Sequence, residues 1–93
     1  MDVAIIGGNE CMEKRYKDLC SDYNCNAKVF TKQKGIKNKL GNPDLVIFFT
    51  NTVSHKMVKT TMSQISKSEQ TIVHCKSSSI SSLKDVLSQH TAS

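Results

Sequence analysis

Hydrophobic positions along this chain switch between two spacings. Asp2-Val3-Ala4-Ile5-Ile6 is a short apolar run ending in Gly7-Gly8, and it reads as a buried strand followed by a tight turn. The spacing then lengthens. Met12, Tyr16, Leu19, Cys20 and Tyr23 recur at helical intervals, with Glu13, Lys14, Lys17 and Asp18 on other faces. This predicts an amphipathic helix from residue 9 to about residue 23, with Asn9 as N-cap. Asn24-Cys25-Asn26 closes it, and a second strand follows over residues 27–31. Between Gly35 and Gly41, Ile36 and Leu40 sit four apart, which predicts a short, lysine-coated helical turn.

Asn42-Pro43-Asp44 turns into Leu45-Val46-Ile47-Phe48-Phe49-Thr50, the most apolar stretch. Its even hydrophobicity predicts a central strand covered on both faces. A helix over about residues 54–66 follows, with Met57, Val58, Met62 and Ile65 as its buried stripe. Residues 70–75 form a fourth strand. Ser77 to Ser79 open a last helix in which Ile80, Leu83, Val86 and Leu87 share a face.

The order βαβαβαβα implies a parallel sheet with right-handed crossovers. We therefore expect one α/β domain over residues 1–93: a three-layer, four-stranded sheet of order 2-1-3-4, a truncated flavodoxin-like or Rossmann-like fold. Its crevice is expected where the chain order reverses, at the carboxyl ends of strands 1 and 3. Strand 4 is left as an edge that needs a charge, a cover or a partner. A homodimer, with an exchanged element as one form of it, is the expectation.

Composition narrows the class. A 93-residue chain buries roughly 60–65% of the surface it exposes when unfolded, so its core is thin. Apolar residues make up 38% and the mean hydropathy is −0.35. No apolar run approaches the ~20 residues of a membrane span, and no membrane association is expected. The opening Met1-Asp2-Val3-Ala4 carries no basic segment of the kind that starts a signal peptide. Cys11, Cys20, Cys25 and Cys75 form no CxxC pair and no zinc-finger quartet, so we read reduced thiols in a cytoplasmic protein. The formal net charge is +5, with Lys28, Lys32, Lys34, Lys37 and Lys39 concentrated in one region. This is either a solvated face or a platform for an anionic partner. Nucleic acid as that partner would call for aromatics interleaved with the charge, and only Phe30 lies near the run.

Three loops are expected to meet at the carboxyl edge. Gly7-Gly8-Asn9 would let backbone approach a ligand, or simply turn with Asn9 capping; it lacks the GxGxxG spacing. Asn51-Thr52-Val53-Ser54-His55-Lys56 leads into the third helix. Ser54 is its natural cap, and His55 is either solvent-facing or a metal, haem-iron or acid/base group. His74-Cys75-Lys76-Ser77-Ser78-Ser79 precedes the last helix. There Cys75 is the reactive-thiol candidate, and Lys76 with the serines could cradle an anion. His-Cys after a strand is similar to the cysteine phosphatases, but the arginine clamp is replaced by Ser81 and the loop lacks glycine. Strand 3 ends in Thr50-Asn51, without the aspartate of a receiver domain.

The same landmarks resemble a bacterial family, domain of unknown function 2325. They are Ile6-Gly7-Gly8, Asp44-Leu45-Val46-Ile47, Asn51-Thr52-Val53-Ser54-His55, and the run from Lys76 through Leu83. The resemblance covers nearly the whole chain. It implies that His55 is the family's loop histidine, and that Lys76, Ser77 and Ser78 are its basic-serine-serine element. Lys76 replaces a more usual arginine and Ser79 a common glycine, and a lysine keeps the charge but loses the planar fork of a bidentate clamp. The resemblance also implies haem binding, as in some members. His55 would give haem b an axial nitrogen, Lys56, Lys76 and hydroxyls would meet the propionates, and Val53, Met57, Ile80 or a second subunit would form the wall. The reading is thus a non-enzymatic module for haem or a similar anionic small molecule. A phosphate or nucleotide binder, and a thiol-based redox module using Cys75, are the alternatives.

Overall fold

The computed structural model describes residues 1–65 and 70–91. Four strands, β1 (Asp2–Ile6), β2 (Asn26–Phe30), β3 (Leu45–Phe49) and β4 (Thr71–Cys75), alternate with four helices, α1 (Glu13–Asp22), α2 (Ile36–Lys39), α3 (His55–Gln64) and α4 (Ile80–Thr91). The sheet is parallel throughout and its order is β2-β1-β3-β4, as the alternation predicts.

Strand alternation sorts the core into two layers. Val3, Ile5, Leu45, Ile47 and Phe49 point to one side, where Tyr16 and Cys20 of α1 and Leu83, Val86 and Leu87 of α4 cover them. Ala4, Ile6, Val46 and Phe48 point to the other, under Ile36 and Leu40 of the α2 region and Met57 of α3. β3 is buried along its whole length, which is why its five residues are all apolar.

Local chemistry sets the element ends. Asn9 caps a single 3-10 turn, Glu10–Met12, before the α-helix begins. Its Oδ1 accepts from the Cys11 amide at 3.0 Å and its carbonyl from the Met12 amide at 2.9 Å. The expected helix from residue 9 therefore starts in the tighter form. Asn24, at φ 60, ends α1 in the left-handed conformation that asparagine tolerates. β2 begins one residue earlier than expected, and β3 ends at Phe49 because Thr50 already turns. In α3 the buried stripe is Met57 and Thr61, with Val58, Met62 and Ile65 only half-buried. Thr61 Oγ1 donates to the Met57 carbonyl at 2.8 Å, which satisfies its hydroxyl within the helix. Ser66, in the expected third helix, lies outside the described residues.

Cys20 is fully buried on α1. Burial pushes its thiol up from 9.0 to about 12, and the neighbouring Cys25 acts in the same direction. The folded-state value is the higher one. Stability is therefore intact below the unfolded value and falls as pH climbs from 9.0 to about 12, where the unfolded chain sheds a proton that the folded chain keeps. Urea midpoints are expected to drop between about pH 8 and about pH 11, more steeply in the native chain than in Cys20→Ala. Equal slopes would remove Cys20 as the cause.

Candidate functional site

A parallel sheet sends every loop that follows a strand to one edge, together with the N-terminus of the next helix. Here those loops are tied to one another. The Gly8 amide donates to Thr52 Oγ1 at 2.7 Å, and that hydroxyl donates to the Phe49 carbonyl at 3.2 Å. The amide and hydroxyl of Thr50 both donate to the Cys75 carbonyl, at 2.8 and 3.2 Å. From α1, the Tyr16 hydroxyl donates to the Ser78 carbonyl at 2.6 Å. The loops after β1, β3 and β4 thus form one fixed platform. Tyr16, legible in the sequence only as part of a helix stripe, is one of its ties.

The platform uses many of its own polar groups. A Cβ on Gly7 would lie 3.0 Å from Thr52 Oγ1, and one on Gly8 would lie 2.9 Å from Tyr16 Cε2 and 3.1 Å from Phe49 Cδ2. The room these glycines leave is filled by the chain itself rather than opened to a ligand. Ser54 Oγ accepts from the Met57 amide at 3.2 Å and caps α3. Ser79 Oγ accepts from the Ser82 amide at 3.2 Å, and Ser77 Oγ from the Ser79 amide at 3.3 Å. The serine cluster is therefore engaged in starting α4. Cys75 is half-buried, and its Sγ donates to the Ser77 carbonyl at 3.1 Å.

Exposed on the platform are Asn51, His55, Lys56 and Lys76. His55 begins α3 beside its cap, and Lys76 follows β4 directly. The imidazole can offer a lone pair, and the two ammonium groups can meet negative charge near the N-termini of α3 and α4. Among the described residues no group of three or more His, Cys, Asp or Glu side chains is placed to hold a metal ion. No helix of the described residues is long and apolar enough to cross a membrane.

The family model that matches, over residues 2–90, is described as an uncharacterized protein conserved in bacteria, DUF2325. The chain belongs to this family. Comparison with curated proteins and with solved structures gives no match. Most landmarks of the resemblance lie on the platform: Gly7 and Gly8 after β1, residues 51–55 before and into α3, and residues 76–83 before and into α4. The donor chemistry of this DUF2325 chain suits a porphyrin in part. His55 and the two lysines are exposed. The apolar wall is the difficulty: Met57 is buried in the core with Val53 packed against it, and Ile80 packs on the opposite core layer. The chain offers imidazole and cations there but turns these apolar residues inward.

Proposed function

We propose that this DUF2325 chain is a non-enzymatic ligand-binding module of the bacterial cytoplasm that works as a homodimer. An anionic small molecule rests on the platform at the carboxyl ends of the strands. The observation that carries this reading is the tying of three loops into one surface that leaves His55, Lys56 and Lys76 outward. Loops tied in this way hold the backbone that carries these side chains, and a few placed polar groups are what orients a ligand. In its haem form, His55 is the axial ligand, Lys56 and Lys76 meet the propionates, and a second copy supplies the missing apolar wall. Among the described residues β4 has a neighbour on one side only, and its Ile72 and Val73 are half-buried, so its edge suits such a contact. The four free thiols suit a reducing compartment.

A haem titration followed in the visible range tests the reading, with sedimentation run on the same samples. The Soret band is expected to shift for the native chain and to lose that shift in His55→Ala. Lys56→Ala with Lys76→Ala is expected to weaken binding, and the bound species should sediment as two copies. An equal shift in His55→Ala removes the histidine ligand, and a monomeric complex removes the shared wall. The two lysines beside helix N-termini also favour a second reading, a phosphate or nucleotide ligand on the same platform. Thermal stabilisation by a nucleotide panel without a haem shift would select it.

A further inference from the structure

The sheet has two edges, and the one formed by β2 differs in chemistry from the one formed by β4. On its inner side the Asn26 amide donates to the Met1 carbonyl at 2.9 Å, and the Phe30 carbonyl accepts from the Gly7 amide at 2.8 Å. Residues 26, 28 and 30 therefore face β1, and by alternation the amides and carbonyls of Ala27 and Val29 face outward. Three cavities follow this open edge. One of about 310 Å³ lies at the Asn26 end. The next, about 540 Å³, lies over Ala27 to Phe30, and the third, about 400 Å³, continues past Thr31. The last two share Val29, Phe30, Asn38 and Lys39 and make one elongate groove, and the first adjoins it at Ala27 and Lys28 on the side of Asp2 and Val3 of β1. Lys17 of α1 lines one side, with Asn38 and Lys39 of α2 also in the lining.

We propose that this groove docks an acidic, extended segment of a partner protein, which adds to β2 as a fifth strand. The proposal is independent of the ligand platform. Outward amides and carbonyls pair with peptide backbone, and an elongate groove fits an extended chain. Charge complementarity supplies the sign. Lys17, Lys28, Lys34 and Lys39 line the groove against Glu13 and Asp2. Among the described residues only Lys32 of the groove lysines is in an ion pair, with Glu10 at 2.8 Å. Lys28 shares a face with every second residue of an added strand, so acidic residues belong there. The alternate residues meet the face of Ala27 and Val29, which favours small apolar side chains.

Other occupants fit less well. A second copy paired through β2 would bring the same lysines together, whereas β4, with the sequence Thr-Ile-Val-His-Cys, carries no lysine. For nucleic acid the groove lacks a stacking surface, because Phe30 is buried beneath it at 7% exposure.

The test uses the full chain and a blocked octapeptide of alternating Glu and Val, with alternating Lys and Val and an oligo-dT strand as comparisons. The acidic peptide is expected to bind and to protect the Ala27 and Val29 amides from hydrogen exchange. Affinity is expected to fall about tenfold in Lys34→Glu with Lys39→Glu, and less in Lys17→Glu, while urea midpoints stay near the native value. No binding at about 1 mM peptide overturns the proposal. So does binding that leaves the Ala27 and Val29 amides unprotected. Tighter binding of the oligo-dT strand would overturn it in favour of nucleic acid. Protection that rises with protein concentration alone would overturn it in favour of a second copy.

Discussion

Phe49→Ala is expected to cost about 3–5 kcal/mol, read as a drop in the urea midpoint. Phe49 is fully buried at the end of β3. Its ring lies 5.4 Å from that of Tyr16, tilted by 43°, and it also fills the space beside Gly8. Its carbonyl accepts from the amides of Thr52 and Val53, both at 3.0 Å, and from the Thr52 hydroxyl. Removing the ring would open a cavity under the point where the first and second loops join. A domain of this length has roughly 5–14 kcal/mol of stability in total, so the loss is a large fraction of it. Phe49→Leu retains most of the volume and should lose much less. A loss below about 1 kcal/mol in Phe49→Ala would mean that this ring is not packed as described.

Gly8→Ala is expected to be nearly as damaging, by about 2–4 kcal/mol, for two reasons that add. The backbone there has φ +89, which side-chain-bearing residues rarely adopt, and the new Cβ would press on Tyr16 and Phe49. Gly35 separates the two. Its φ is +92, but the nearest atom to an added Cβ is Lys39 Cδ at 3.7 Å, an ordinary contact. Gly35→Ala should therefore show the backbone cost alone, about 1–2 kcal/mol. The excess in Gly8→Ala measures how tightly the chain closes on itself at the first loop. If the two substitutions cost the same, the hollow beside Gly8 is looser than its geometry indicates and has room for a ligand.

Much of the architecture was legible because it follows from local period. The even apolar run of β3 required cover on both faces, and the structure provides it. Cys20 on the α1 stripe followed in the same way, Asn9 and Ser54 as caps followed from residue type, and the strand order 2-1-3-4 followed from the alternation of strands and helices. α2 was harder to place, since Ile36 and Leu40 span barely one turn and a single turn leaves little periodicity to read. Thr61 was missed as a buried position because its polarity hides a hydroxyl that bonds back to Met57 within its own helix.

The candidate site divides differently. Residue types alone identified three polar loops at the carboxyl edge, because parallel topology leaves no other place for them. Which of their groups remain exposed was decided only in three dimensions. A serine hydroxyl before a helix can hold an anion or start the helix, and nothing in Ser77-Ser78-Ser79 separates the two until Ser79 is seen accepting from Ser82. The Tyr16 bond to Ser78 joins residues 62 positions apart, beyond the reach of any local pattern. The same holds for the basic run between Lys28 and Lys39. By itself the sequence determined that lysines cluster there. Only the folding of α1 and α2 on either side of β2 decided that several of them line a groove beside the outward backbone of Ala27 and Val29, because burial and hydrogen-bond satisfaction belong to the assembled chain and not to its segments.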